Sequence, residues 1–232
     1  MTRPGAQCRL TNRLLGQLLQ SMRLNLRTYR SEKRFKRLAS AIRKARRYYS
    51  ERVDVQTDPS LGVGSNTFRA FRGVKRPSAA YREWARRLYR TRRFKKAVLA
   101  ARSRDGFERL HRWLSQSLER HWRRKYRKPL LLAHRYKLVD LFIKRLCRFQ
   151  LSDSRMNTRL VANGHVPLDS SVFKALDRLF SGILLTEGRA MRHIKSERAY
   201  RFYQDIFRSI MYRLRAPPLY FDYYAWNLEK DA

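Results

Sequence analysis

Acidic residues are scarce in this chain, and their scarcity dominates its chemistry. Asp and Glu number 18 against 55 Lys and Arg, which gives the 232 residues a formal net charge of +37. A compact body carrying this excess repels itself unless a polyanion neutralises it. Because nucleic acid is the commonest soluble polyanion, the composition predicts a nucleic-acid-binding protein.

Cysteine and long apolar runs are also nearly absent. The two cysteines, Cys8 and Cys147, exclude a disulfide framework and any four-cysteine zinc or iron–sulfur site. The five histidines have no metal-ligand spacing, so we expect no metal and no cofactor. No apolar run approaches the ~20 residues of a membrane span, although a basic amphipathic helix on a membrane surface stays an alternative. We expect an intracellular, reducing location, cytoplasmic or nucleoid-associated.

Apolar residues are too abundant for a disordered basic tail. Hydrophobic residues make up 43% of the chain and aromatics 12%, and both recur at helical spacing between the basic residues. Alternating strand patterns are absent, so the sequence predicts a mainly α fold. The predicted helices cover about 9–29, 32–52, 79–102, 105–126, 131–150, 169–181, 196–214 and 219–228.

The charge is unevenly distributed about Pro129. Residues 1–128 hold 37 basic and 8 acidic side chains, a net of +29, whereas residues 129–232 carry a net of +8. The sequence therefore predicts a basic helical docking region over 1–128 and a second helical domain over 129–232. The predicted nucleic-acid contacts, mostly arginines suited to bidentate phosphate binding, are Arg34, Lys36, Arg37, Arg43, Lys44, Arg46, Arg47, Arg86, Arg87, Arg90, Arg92, Arg93, Lys95, Lys96, Arg123, Arg124 and Lys125.

The segment 54–67 is rich in Pro, Gly, Ser and Asn and predicts a loop. Its run 62–66, Gly-Val-Gly-Ser-Asn, has two interpretations. The backbone N–H groups of such a run bind phosphate in some proteins, and an ordinary turn has the same composition. The run lacks the lysine spacing of a P-loop and a complete GxGxxG pattern.

Two segments of the second half carry a resemblance. The run 166–176, Val-Pro-Leu-Asp-Ser-Ser-Val-Phe-Lys-Ala-Leu, places Asp169 at a predicted helix start, and in 134–143, His-Arg-Tyr-Lys-Leu-Val-Asp-Leu-Phe-Ile, Lys137 begins an apolar helix. Together they resemble the helix–hairpin–helix DNA glycosylase superfamily over about 130–228. That resemblance implies a glycosylase-like helical C-terminal domain.

The resemblance also implies roles for two residues. Asp169 corresponds to the aspartate that stabilises the developing oxocarbenium ion, and Lys137 falls where bifunctional members place a nucleophilic lysine. Arg135 is a nearby cation able to lower the pKa of a lysine, and His165 is a further acid–base candidate. Asp169 and Lys137 also have purely structural interpretations. Asp169 is a good N-cap residue without any catalytic role, and Lys137 suits an exposed helix start.

The sequence departs from that superfamily at its DNA anchor. Residues 131–134, Leu-Leu-Ala-His, replace the glycine-rich hairpin that holds phosphate through backbone N–H groups. Three hypotheses therefore stay open. They are a DNA-binding subunit of a nucleoprotein complex without catalysis, a base-excising enzyme using Asp169 and Lys137, and an RNA-binding ribonucleoprotein component.

Overall fold

The computed structural model describes residues 33–54, 58, 60–71, 73–180 and 191–230, and the predicted helix 9–29 lies outside them. Within these ranges the chain forms nine α-helices, two short 3-10 turns and a single isolated β-bridge, so the predicted mainly α class is confirmed. The helices are α1 (Lys33–Ser50), α2 (Pro77–Tyr89), α3 (Arg92–Ala100), α4 (Arg104–Tyr126), α5 (Leu132–Leu146), α6 (Ser154–Asn163), α7 (Ser170–Leu179), α8 (Glu197–Arg213) and α9 (Tyr220–Lys230).

Local capping divides one predicted helix into two. The sequence predicted a continuous helix over 79–102, but α2 ends at Tyr89 and α3 begins at Arg92. Thr91 causes the break because its hydroxyl accepts a hydrogen bond from the backbone N–H of Phe94 at 3.1 Å, as an N-cap residue does. The prediction of one helix was therefore wrong, and a short polar residue at the junction explains why.

A second difference lies between the predicted helices 131–150 and 169–181, where residues 151–165 contain a helix, α6, that the sequence did not predict. Asp153 accepts a hydrogen bond from the N–H of Arg155 and caps α6 there. The helix buries Met156 and Leu160. The two N–H groups of its Asn157 amide donate to carbonyls at and just after the C-terminal end of α5, with Nδ2 lying 2.8–3.3 Å from the oxygens of Leu146, Cys147 and Phe149. The segment is thus an integral part of the core.

Helices on both sides of Pro129 share one hydrophobic core. The first described helix, α1, packs against the last, α9, and α9 also packs against α7. Helices α4 and α5 flank Pro129 and contact each other, and the backbone N–H of Leu130 donates to Glu119 in α4 at 3.1 Å. The halves are packed together, while the division of roles between 1–128 and 129–232 stays a prediction. Among the described helices, none is long and apolar enough to cross a bilayer.

Candidate functional site

One face of α5 supplies three basic side chains to a shared cavity. Lys137, Leu141, Lys144 and Arg145 all line it. Their spacing of four, seven and eight residues places them on the same side of an α-helix. The opposite side of α5 carries Val139 and Phe142, both fully buried, and this anchors the helix in the core. The basic row is therefore fixed to a rigid element.

The structure brings the two predicted catalytic residues together. Asp169 is the N-cap of α7, where its Oδ1 accepts a hydrogen bond from the backbone N–H of Val172 at 3.0 Å. Its Oδ2 lies 3.7 Å from Nζ of Lys137. Both side chains are partly exposed, at 14% and 22%. The N-cap role and the lysine contact use different oxygens, so they coexist in one carboxylate.

A second ion pair lies deeper in the same cavity. Asp222, in α9, has a fully buried side chain and pairs with Lys144. Burial raises the pKa of Asp222, and the positive charge of Lys144 opposes that rise. Nζ of Lys144 also lies 5.5 Å from the centre of the Trp226 ring, which suits a cation–π contact. Lys144 thus joins α5 to α9 by charge and by an aromatic face.

The third pair ties the glycine-containing loop to α5. Oδ2 of Asp58 lies 2.6 Å from Nε of Arg145. Burial alone would raise the pKa of Asp58, but hydrogen bonds from Ser60 and the charge of Arg145 hold that pKa below its ordinary value. The N–H of Gly62 donates to Asp58 at 3.1 Å, and the N–H of Val63 donates to the carbonyl of Ser60. These N–H groups are used within the loop, which favours the turn interpretation over phosphate binding.

The resulting cavity has a volume of about 910 Å³. Its walls hold three carboxylates, each paired with a cation of α5. Tyr223 and the half-exposed Trp226 form an aromatic side. Tyr220 instead stacks on Tyr49 with ring centroids 5.3 Å apart, and Tyr224 is buried. The C-terminal aromatics are therefore divided between the core and the cavity wall, which sequence periodicity alone does not separate.

The predicted nucleic-acid contacts lie on helix surfaces. Arg34 belongs to α1, but its side chain lies outside the described residues. The other predicted contacts are all exposed, and they fall on α1, on α2 and α3 with their junction, and at the C-terminal end of α4. Some have acidic partners, such as Lys125 with Glu83 at 2.6 Å and Arg123 with Glu119 at 2.6 Å.

A cluster that the sequence did not predict lies in the core. His111 in α4, Asp140 in α5, His165 before α7 and Tyr200 in α8 are all buried and in mutual contact. Burial lowers the pKa of His165, although its contact with Glu108 opposes the fall. His165 is 1% exposed, so it is unsuited to the acid–base role considered for it. The residues are 25 to 89 positions apart along the chain, and no sequence spacing indicates that they meet.

The chain has no match among family models, curated proteins or solved structures.

Proposed function

We propose that this protein binds nucleic acid, and DNA in preference to RNA, through the basic surfaces of α1, α2, α3 and α4. The supporting observation is that the charged side chains of these helices lie apart from the apolar side chains of the core. The predicted cations with described side chains point to solvent, while the apolar residues of the same helices are buried. Rigid rows of exposed arginine match the regular negative charge of a phosphate backbone. DNA is preferred because the Lys137–Asp169 pair lies in the segment that resembles DNA glycosylases.

We further propose an intracellular setting, cytoplasmic or nucleoid-associated, with the protein acting as a subunit of a nucleoprotein complex. The exposed Leu131, Tyr212 and Trp226 provide apolar surface for such contacts. No membrane partner is needed to account for the basic faces.

Binding is tested by its salt dependence. Fluorescence anisotropy with labelled duplex DNA, single-stranded DNA and structured RNA at 50 to 200 mM salt should give the tightest binding to the duplex. The logarithm of the binding constant should fall linearly with the logarithm of salt concentration, by about 0.9 per phosphate contact. Affinity that hardly changes with salt would refute binding by these faces, and stronger binding to RNA would select the ribonucleoprotein hypothesis.

Matched double variants locate the contact. Arg43 and Arg47 are exposed and lie four residues apart on α1. Arg43→Gln/Arg47→Gln should reduce the salt slope, the dependence of the logarithm of the binding constant on that of the salt concentration, by about 2. Lys174 and Arg178 have the same spacing on α7 and are exposed, but they are not among the predicted contacts. Lys174→Gln/Arg178→Gln should therefore leave the slope unchanged. If the two double variants reduced the salt slope equally, the exposed cations of α1 would contribute no more to binding than those of α7.

One observation supports a second candidate function, excision of a base from DNA. The Lys137 amine and the Asp169 carboxylate meet at 3.7 Å in an open cavity. In such a reaction the glycosidic bond breaks, and the base leaves with the bonding electrons and takes up a proton. The carboxylate stabilises the positive sugar, and the deprotonated amine forms a new bond to C1′. Asp169 stays ionised throughout, and the proton that Lys137 loses is the one that the departing base takes up.

Borohydride trapping distinguishes this candidate from binding alone. Incubation with duplexes that carry damaged or modified bases should give a covalent protein–DNA adduct, lost in Lys137→Ala and retained in Lys174→Ala. Asp169→Asn should abolish base release while leaving DNA affinity within about twofold. If no substrate gives an abasic product, and Asp169→Asn behaves like the parent protein, base excision is refuted and nucleic-acid binding without catalysis is retained.

A further inference from the structure

We propose that the buried cluster of His111, Asp140, His165 and Tyr200 is a binding site for a divalent transition-metal ion. Three helices and the segment before α7 converge there, and the donor atoms of His111, Asp140 and His165 all lie within 4.8 Å of one another. Imidazole nitrogen and carboxylate oxygen are ordinary ligands of zinc and related ions. The inference is independent of the proposed nucleic-acid binding.

Four donor atoms lie at spacings near those of tetrahedral coordination, with three of the five distances at hydrogen-bond length. Nε2 of His111 lies 2.9 Å from Oδ1 of Asp140, and the hydroxyl of Tyr200 lies 2.8 Å from that oxygen. The hydroxyl lies 2.9 Å from Nδ1 of His165 and 3.4 Å from Nε2 of His111. Nδ1 of His165 is 4.0 Å from Oδ1 of Asp140. Ligands at about 2.0–2.1 Å from a tetrahedral ion lie about 3.3 Å apart, and the observed distances lie on both sides of that value.

The outer contact of His165 is typical of a metal-binding histidine. Its second ring nitrogen, Nε2, lies 2.9 Å from Oε1 of Glu108. A carboxylate in this position fixes the tautomer so that the lone pair of the opposite nitrogen, Nδ1, faces inward, and the same arrangement orients zinc-bound histidines. The Glu108 contact is separate from the inner set of donors and therefore supports the proposal independently.

Short contacts join all members of the cluster to one another and to Glu108. They link Glu108 to His165, His165 to Tyr200, Tyr200 to Asp140, and Asp140 to His111, at 2.8–2.9 Å. The inner donors are thus gathered in one place by the packing of the helices.

Charge balance points the same way. Asp140 has a fully buried side chain, and within the described part of the chain it pairs with the histidines His111, at 2.9 Å, and His165, at 4.0 Å, and with no lysine or arginine. An ionised carboxylate in the interior is costly without a positive partner. A divalent ion supplies that charge and joins α4, α5, α8 and the segment before α7. Because the cluster is fully enclosed, we assign the ion a structural role.

Metal analysis of the full-length, tag-free protein tests the proposal directly. Mass spectrometry of the purified protein should give about one equivalent of a transition metal per chain. After removal of metal by a chelator, Co²⁺ should bind with the visible absorption of a tetrahedral site, and Zn²⁺ should displace it. The proposal would be overturned if the wild-type protein contained no bound metal and showed no saturable binding of Co²⁺ or Zn²⁺. The cluster would then be a hydrogen-bonded network.

Two variants assign the ion to this cluster. Glu108→Gln, at a partly exposed position, should weaken Zn²⁺ binding about 10- to 100-fold because it changes the outer partner of His165. Tyr200→Phe keeps the ring but removes the oxygen, so it should alter the Co²⁺ spectrum. His193→Asn, outside the cluster, should bind like the parent. Equal affinity in Glu108→Gln and the parent would overturn the assignment even if Tyr200→Phe fails to fold.

Discussion

Alanine at position 62 is expected to destabilise the fold by two separable effects. Gly62 has a φ of +85°, a conformation that residues with a Cβ rarely adopt. A Cβ built there would lie 2.4 Å from Cβ of Arg145 and 3.2 Å from the carbonyl oxygen of Leu141. Neither neighbour is the free end of a flexible side chain. The loop that bears Asp58 must therefore move away from α5.

Alanine variants at two other glycines separate the backbone effect at position 62 from the steric effect. Gly73 has a φ of +76° with no described atom within 4 Å of its built Cβ, so it isolates the backbone effect, about 1–2 kcal/mol. Gly62 adds overpacking of about 1–3 kcal/mol, which gives about 2–5 kcal/mol in total. Gly64 has a φ of −68° and open space around its Cβ. Its alanine variant should be neutral or more stable by about 0.4–1 kcal/mol.

Urea unfolding of the three alanine variants measures this series. The free energies of unfolding should fall in the order Gly64→Ala, Gly73→Ala, Gly62→Ala, with similar slopes against urea concentration. If Gly62→Ala were no less stable than Gly73→Ala, the close approach of the loop to Arg145 would be refuted. A large loss in Gly64→Ala would contradict the open space found there.

Three further predictions follow, two for ion pairs of the cavity and one for a buried amide of the core. Lys144→Met should cost about 3–5 kcal/mol because it leaves the buried Asp222 without its partner, and Lys144→Met/Asp222→Leu should recover most of that loss in a double-mutant cycle. The pKa of Asp58 is lower in the folded protein than in the unfolded chain, so its contribution to stability is present above about pH 4 and is lost as pH falls through the folded value. Asp58→Asn should therefore be less stable than the parent at pH 7, with the gap in unfolding free energy closing in acid; a constant gap would contradict the ion pair. Asn157→Ala should lose about 1–3 kcal/mol in thermal or urea unfolding because it removes the side-chain donor of the Phe149 carbonyl and one of the two donors of the Leu146 carbonyl, and a loss below about 0.5 kcal/mol would argue against that role.

Local patterns predicted most of the fold. The helix predicted over about 105–126 is α4 (Arg104–Tyr126), and Asp169 and Ser196 each cap a helix near a predicted start. The prediction failed where one residue decides the outcome. Thr91 ends one helix and begins another, and Asp153 begins a helix in a segment with a weak apolar pattern. Such boundaries depend on single hydrogen bonds that periodicity does not reveal.

The candidate site was only partly predictable. The resemblance identified Lys137 and Asp169, and the structure places them 3.7 Å apart. The sequence does not indicate that Asp58 and Asp222 join them, because those residues come from a loop and a helix far along the chain. The same reason hides the histidine cluster, in which His111 and Tyr200 are 3.4 Å apart but 89 residues apart in sequence.

By itself the sequence determined the helical class and the strong positive charge, because both depend on composition and on spacing within a few residues. It also indicated the exposed positions of those predicted contacts whose side chains are described. Tertiary structure alone decided which carboxylate meets which cation, and that four polar residues share the core near Glu108. Those contacts join positions far apart in sequence, and packing of the helices sets their distances.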